Sequence, residues 1–408
     1  MNANTTIKVS VKKGREWQIL RGHPWLFSGG ISQTPGKVKP GDIVDLLDTS
    51  GKFVARGYYN PNCDIAVRIL TLDAEQAIDK TFISERVRLA IELRERTIDL
   101  SSTNVYRLIN AEGDFLPGLI VDRFDDLLVV QSHTAGGDAL TAMLLDVLKE
   151  VIQPEAIILR NDALARRREG LNLEPARIVH GEIAKASGLR LVKENNFPFS
   201  VDPLGGQKTG FFTDQRDKRQ AVMELARHFA KGARLANLFC YSGAFTVYAA
   251  KANEALLSVN IDESKQALDL AQKNFSLNQL SEANHQLLES DGFTWLEETS
   301  DRGDEFDFVI LDPPAFAKSL KDKDKALRAY TRLNRLGLLC TKKGGFMLTC
   351  SCSGSISMDE LQDCLNAAQA AAGRHVQILA VFKHGSDHPV SLAAKETEYL
   401  KVLLVRVL

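Results

Sequence analysis

LANLFCYSGAFTVYAAKANEALLSVNID, residues 235–262, is the stretch on which the fold turns. Leu235 to Phe239 is an apolar strand, and Cys240-Tyr241-Ser242-Gly243 is a turn of mostly small residues. The chain then runs at helical spacing to Asn253, and a second apolar strand, Leu256 to Ile261, ends on Asp262. Strand, tight turn, helix and strand together make the repeating unit of a parallel sheet. In such a sheet ligands sit outside the carboxyl ends of the strands, so the loops there are where function is sought.

Downstream the alternation continues. A helix reaches Asn278, and strands follow at Gln286 to Glu289 and Phe308 to Leu311. A helix over Lys325 to Leu339, a strand at Gly345 to Thr349 and a helix near Asp359 to Ala371 come next, and the closing strands are Val376 to Phe382 and Tyr399 to Val407. This predicts a doubly wound α/β domain over residues 191–408. Upstream, Asp42 to Leu47, Phe53 to Tyr59 and Ile65 to Leu70 are rich in β-branched and aromatic residues, and Asp48 to Lys52 reads as a hairpin turn, so residues 1–75 form a small β domain. A helix is predicted over 79–98. Strands at Val105 to Asn110, Leu119 to Asp122 and Leu127 to Gln131, a helix over Ala139 to Val151, and strands at Ile157 to Arg160 and Ile178 to Glu182 then give a small α+β (EEHEE-like) middle domain over 76–190. It has no glycine-rich strand-to-helix turn and is assigned no chemistry.

Composition narrows the function classes. At 408 residues, 44% hydrophobic and 25% charged, the chain can bury two or three cores and does not read as disordered. No apolar run reaches the roughly 18 residues of a membrane span, and Met1 to Thr6 lacks the pattern of a secretory leader. A cytoplasmic protein with no membrane partner is expected. Cysteines at 63, 240, 340, 350, 352 and 364 lack C-x-x-C spacing, which argues against a structural metal and a disulfide framework. The net charge of -1 conceals two basic segments: residues 1–40 hold seven Lys or Arg against Glu16, and residues 318–343 hold nine against Asp322 and Asp324. One such run reads as a solvated face. Two in an otherwise acidic chain point to phosphate contact, hence to nucleic acid.

Four strand-end loops carry chemistry. The first, Asn237 to Gly243, has a single glycine, a weak signal whose simplest use is a tight turn that also lets backbone approach a ligand. Asp262, about 20 residues on, is placed to accept both hydroxyls of a ribose or to cap a helix. In Ser290-Asp291-Gly292, Asp291 faces an adenine amine or caps the next helix. No G-x-x-x-x-G-K-S/T occurs, so an adenosine without phosphates fits better than ATP or NAD. The fourth loop, Asp312-Pro313-Pro314-Ala315-Phe316, uses two prolines to fix the backbone and present an aspartate and unpaired carbonyls. After the next strand comes TCSCSG, residues 349–354. Cys350 and Cys352 there, beside Ser and Gly, differ from Cys340 and Cys364, which read as core.

In order and spacing these loops resemble class I S-adenosyl-L-methionine-dependent methyltransferases. More widely the chain resembles the bacterial large-subunit ribosomal RNA cytosine-C5 methyltransferases of the RlmI type. Supporting stretches are GHPWLF (22–27), DFLPGLIVD (114–122) and KTGFFTDQR (208–216). The resemblance covers nearly the whole chain and implies an RNA-binding PUA-like domain, a small α+β domain and a Rossmann-like catalytic domain. It implies that Asn237, Phe239, Cys240, Tyr241, Ser242 and Gly243 line the methionine end of the cofactor. By the same resemblance Asp262 holds the ribose, Asp291 and Gly292 lie near the adenine, and Gln215, Arg216 and Asp312 border the site. Lys208, Pro313, Pro314 and Phe316 are the substrate-facing candidates. Cys352 matches the nucleophile, although Thr349-Cys350-Ser351 also resembles a nucleophile motif. The second cysteine that many RNA cytosine methyltransferases carry after the double proline is Ala315 here, which leaves the final base unidentified.

The implied mechanism is addition of the Cys352 thiolate to C6 of cytosine, with Asp312 at the N3 side and the base single-stranded or flipped out. Phe316 and Phe211 are each equally suited to stacking on that base or to core packing. The expected partner is RNA of the 23S ribosomal class, and a homodimer is left open. Two rivals remain: amino-group methylation of adenine or guanine, which needs no thiol, and a non-catalytic RNA-binding assembly factor.

Overall fold

A computed structural model describes residues 7–34, 36, 38–183, 188–317 and 320–408. Met1 to Thr6, read for a leader, and Lys37 and Lys318, counted in the basic segments, lie outside the described residues. The chain divides into two compact units: residues up to 195 with 202–213 and 386–397, and residues 196–201, 214–385 and 398–408.

The first unit opens with β1 (Ile7–Val11), α1 (Glu16–Leu20), β2 (Trp25–Phe27), β3 (Ile31–Gln33), β4 (Ile43–Leu47), β5 (Phe53–Tyr59) and β6 (Ile65–Thr71), in a sheet of order β2-β6-β5-β4-β1-β3. The turn expected at Asp48 to Lys52 is present: Asp48 Oδ1 accepts from the amides of Ser50 (2.8 Å) and Lys52 (2.9 Å), and Gly51 takes the left-handed φ of 83° that glycine tolerates. There follow α2 (Lys80–Thr97), β7 (Val105–Asn110), β8 (Leu119–Phe124), β9 (Leu127–Ser132), α3 (Ala135–Val151), β10 (Ala156–Leu159), α4 (Ala165–Arg168), β11 (Arg177–Gly181) and β12 (Arg190–Glu194). The sheet order is β11-β10-β9-β8-β7, so three strands precede α3, one more than the EEHEE shorthand. The reason is β9, buried throughout and paired with β8 on one side and β10 on the other.

Helix α3 starts four residues before Ala139 because Thr134 caps it, accepting from Gly137 N at 3.1 Å. A side chain at Gly136 would stand 1.9 Å from the Tyr58 ring, so the glycine is a packing requirement. Tyr58 donates to Pro117 O at 2.9 Å and, with Leu70, shares a core with Leu119, Leu128 and Leu144. Each such buried side chain contributes about 1.5–3 kcal/mol. Residues 386–397 also belong here: Arg94 Nη2 donates to Asp387 O (2.7 Å) and Arg107 N to Asp387 Oδ2 (3.0 Å).

The second unit holds β13 (Phe197–Val201), α5 (Arg216–Ala226), β14 (Arg234–Leu238), α6 (Ala244–Ala252), β15 (Leu257–Asp262), α7 (Lys265–Leu277), β16 (His285–Glu289), α8 (Gly292–Asp301), β17 (Phe306–Leu311), α9 (Lys323–Leu339), β18 (Thr341–Ser351), α10 (Met358–Ala372), β19 (Val376–Phe382) and β20 (Lys401–Val407). Its sheet runs β16-β15-β14-β17-β18-β20-β19, with β14 to β18 mutually parallel and β20 antiparallel to both its neighbours. One face packs Leu238, Val309, Leu311, Tyr330 and Met347 with residues of α8, α9 and α10; the other packs Phe308, Ile310, Leu348 and Cys350 with Val222 and Phe245. Helices on both faces of a mostly parallel sheet are the expected α/β architecture.

Candidate active site

Strand β14 is the switch point of the sheet: β15 and β16 follow it to one side, β17 and β18 lie on the other. Leu238 pairs with Ile261 and with Leu311, and Leu311 with Thr349. Phe239, Asp262, Asp312 and Cys350 therefore emerge at one level of the carboxyl edge. Along that edge stand Asp291, Asp262, the 239–243 loop, Asp312 and Cys352, in spatial order.

The first half of the edge is a held loop. Phe239, Tyr241 and Gly243 take positive φ values of 58°, 46° and 70°. For the two aromatic residues such backbone costs on the order of 1–3 kcal/mol each, and surrounding bonds must fix it. They do: Cys240 N donates to Ile261 O (3.0 Å), Tyr241 N to Asp262 Oδ2 (2.9 Å), Gly243 N to Cys240 O (2.8 Å) and Asn274 Nδ2 to Ser242 O (3.0 Å). The other Asp262 oxygen accepts from Ser264 N (2.9 Å), and Ser264, not Asp262, caps α7. A Cβ on Gly243 would meet the Phe275 ring at 2.6 Å, so helix packing also requires this glycine. A Cβ on Gly292 would lie 2.8 Å from the Phe239 ring. Asn237 is buried and donates to Thr246 Oγ1 (3.1 Å) and Asn260 Oδ1 (3.3 Å), bracing β14 against β15 and α6. Burial pushes the Cys240 thiol well above its ordinary range. Asp291 is exposed and caps α8 through Oδ1, accepting from Thr294 N at 2.8 Å.

The second half carries the reactive groups. Gln215 Nε2 donates to both Asp312 oxygens at 3.0 Å, and Arg216, also buried, opens α5. Pro314 is exposed and Pro313 buried. The Cys352 thiol donates to Pro313 O at 3.7 Å, so that carbonyl, expected to be unpaired, has a partner. Ser353 ties the loops together: its Oγ accepts from Ala317 N (3.3 Å) and lies 3.0 Å from Tyr330 Oη. Phe316 is partly buried, its ring 4.8 Å from Tyr330 and 5.8 Å from Phe293. The two strand-end thiols differ sharply. Cys350 is fully buried, and burial first, then the Asp312 charge, pushes its thiol well up. Cys352 follows the strand end and is partly exposed.

Sequence reasoning did not mark Lys401, which is 2% exposed and donates to Ser353 O (2.7 Å) and Tyr399 O (2.9 Å). It also missed Lys218, whose ammonium is held by Asp214 O (2.5 Å) and Lys383 O (2.6 Å), and Tyr399, which donates to Asp214 Oδ2 (2.6 Å). A lysine opening an apolar strand reads as a solvated strand end, so the sequence offers no signal for Lys401. Lys208 and Phe211 belong to the first unit, with Lys208 Nζ 4.5 Å from the Phe212 ring centroid and Phe211 2% exposed. In the basic 318–343 segment, Lys323, Arg332 and Lys342 pair with Glu360, Glu297 and Asp307, which leaves less free charge than the sequence count.

Residues 181–395 match the model of an S-adenosylmethionine-dependent methyltransferase family, and residues 9–72 that of a PUA-like domain. The chain is 38% identical to the ribosomal RNA large subunit methyltransferase I of Shewanella amazonensis, covering 98% of this chain and 100% of that protein. It is 36% identical to the protein of the same name from Escherichia coli O157:H7, with 99% and 100% covered. Among solved structures, a candidate SAM-dependent methyltransferase from Streptococcus mutans superposes with a TM-score of 0.83 at 22% identity, covering 98% of this chain and 100% of that one. A second candidate methyltransferase, solved in complex with SAH, gives 0.84 at 21% identity over 98% and 100%.

Proposed function

From the premise that this chain belongs to the S-adenosylmethionine-dependent methyltransferases, and within them to the ribosomal RNA large subunit methyltransferase I family, we propose that it methylates cytosine C5 in 23S ribosomal RNA through a Cys352 adduct. One observation carries the reading: of two thiols at the end of β18, the one beside the Asp312-Pro313-Pro314 loop is partly exposed and the other is sealed in the core.

S-adenosylmethionine, when bound, supplies an electrophilic methyl group. The residues fit it: the strained and fixed 239–243 backbone, the Asp262 carboxylate at the strand end and Asp291 with Gly292 beyond it form a row suited to the methionine end, ribose and adenine in turn. Gln215 and Arg216 flank the same edge from α5.

Cytosine C5 is a poor nucleophile, and the Cys352 thiolate adding at C6 pushes electron density toward C5. Asp312, oriented by Gln215, then hydrogen-bonds the N3 side where negative charge develops. Pro313 and Pro314 fix that carboxylate's loop. Once C5 carries the methyl, its proton leaves, the C6–S bond breaks and the thiolate is regenerated. Phe316 packs on Tyr330 and is better suited to shaping the pocket wall than to free stacking.

For the RNA, support comes from the first unit. Lys12, Lys13, Arg15 and Arg21 are exposed beside exposed Trp17 and Phe27, and His23, Trp25 and Phe27 form a ring cluster with centroids 5.9–6.4 Å apart. Cations beside aromatic faces suit single-stranded RNA. Residues 1–75 are assigned to holding RNA, with Lys208 as a further substrate contact, and 191–408 to methyl transfer; the middle domain over 76–190 is assigned no chemistry. No helix among the described residues is long and apolar enough to cross a membrane.

Incubation with labelled S-adenosylmethionine and undermodified ribosomal RNA, followed by nucleoside mass spectrometry, is expected to yield 5-methylcytidine with the natural protein and none with Cys352→Ala. A methylated purine from both would replace this reading with amino-group methylation.

A further inference from the structure

Lys401 heads β20 and stands opposite Ser351 in the antiparallel ladder with β18, next to the strand end from which Cys352 follows. Its ammonium is buried, yet its two hydrogen bonds go to backbone carbonyls, and it forms no ion pair among the described residues. An ammonium has three donors, and a buried one without a counter-ion is costly. The carboxylates that face it are engaged elsewhere: Glu398 with Lys383 (2.9 Å) and Glu360, on α10, with Lys323 (2.6 Å). Tyr330, on α9, turns its hydroxyl to Ser353, and burial pushes that hydroxyl up to about 12, so it supplies no anion at neutral pH. Burial lowers the Lys401 amine to about 8, and the strongest opposing charge is that of Cys352.

We infer that Lys401 is the built-in counter-ion of the Cys352 thiolate, a positioning residue that holds the nucleophile ionised. The thiol proton leaves to water: the S–H bond breaks, an O–H bond forms on the water, and the thiolate left behind balances the charge already carried by the Lys401 ammonium. When the sulfur adds to C6 the ammonium loses its anion, and regaining it favours departure of the thiolate at the end of the cycle. The bearing on catalysis rests on Cys352 being the nucleophile, but the ion pair itself does not.

The test is site-resolved alkylation of the full-length protein with iodoacetamide across pH, for the natural protein, Lys401→Met and Lys401→Arg. In the natural protein Cys352 is expected to reach half its maximal reactivity at least a pH unit below the roughly 8.5 of a free thiol. Lys401→Met raises that midpoint by a unit or more and slows alkylation at pH 7 about tenfold, while Lys401→Arg restores most of it. Cys63, half-buried with its thiol pushed up to about 11, is the internal control and stays unchanged. A natural-protein midpoint at or above 8.5 overturns the proposal without any variant, as does an unshifted profile in a folded Lys401→Met protein. Methylation by Cys352→Ala would sink the nucleophile and leave the ion pair standing; an inactive Cys352→Ala with no alkylation shift would do the reverse.

Discussion

Buried cations beside the five-stranded sheet and at the carboxyl edge of the seven-stranded sheet are handled in different ways. Around the five-stranded sheet each is closed by a carboxylate: Arg94 forks onto Asp114 (2.5 and 2.8 Å), Arg107 onto Asp122 (2.5 and 3.1 Å), and Arg166 reaches Asp138 (2.8 Å). At the carboxyl edge of the seven-stranded sheet two of the buried cations, Lys218 and Lys401, are lysines that rest on backbone carbonyls instead. Guanidinium forks suit fixed bidentate pairing; an ammonium is a point charge whose proton is more easily moved. A region that closes its charges is built to stand, and a region that leaves them to backbone dipoles keeps them for a reacting group.

The contrast can be broken at several levels. The largest effect is expected from Cys352→Ala, which should lower methylation by roughly 10³-fold or more while leaving the unfolding midpoint nearly unchanged. Next, Arg94→Met strands Asp114 and should cost about 3–5 kcal/mol in urea unfolding, with little change in turnover per folded molecule. If instead it altered turnover and spared stability, the division into standing and reacting charges would be wrong. Asp312→Asn keeps the Gln215 contact but removes the charge; turnover should fall about 10²-fold, read by single-turnover methylation. Lys401→Met should cost no more than about 1–2 kcal/mol, since the lost carbonyl bonds are offset by removal of a desolvated charge; a loss as large as that for Arg94→Met would erase the comparison.

One further effect is shared by the two units. Burial lowers His133 in the first and His285 in the second to about 4 each. Both folded values lie below the ordinary 6.5, so the unfolded chain binds more protons between pH 6.5 and 4. Stability should therefore fall as pH drops through that window and be flat above it, which urea midpoints at several pH values would show. His133→Gln should flatten part of the slope.

Much of the fold was legible because its signals are local. Val105–Asn110 and Val376–Phe382 fall where their apolar runs predict, and Gly51 marks its turn. Helix α5 is not predicted because Arg216–Ala226 is charge-rich, and α8 is anticipated only through its Asp291 cap, without bounds. The candidate loops were legible as strand ends, but not what their residues touch. Asn237 faces inward, Gly243 answers to Phe275, and Lys401 gains its meaning only when β20 is laid beside β18. Pairing between strands about fifty residues apart leaves no trace in local periodicity.

The position of β20 also imposes an order on synthesis. This strand follows β18 and β19 in the chain yet lies between them in the sheet, and β19 is paired with it alone. Until residues 401–407 emerge from the ribosome, β19 has no sheet to join, and Ile378, Leu379 and Val381, exposed even in the finished protein, stand on an unpaired apolar strand. The nascent chain is thus at its most adhesive in the interval between the synthesis of β19 and that of β20, and a nascent-chain chaperone or a cold, slow-growth expression regime should raise the yield of folded protein.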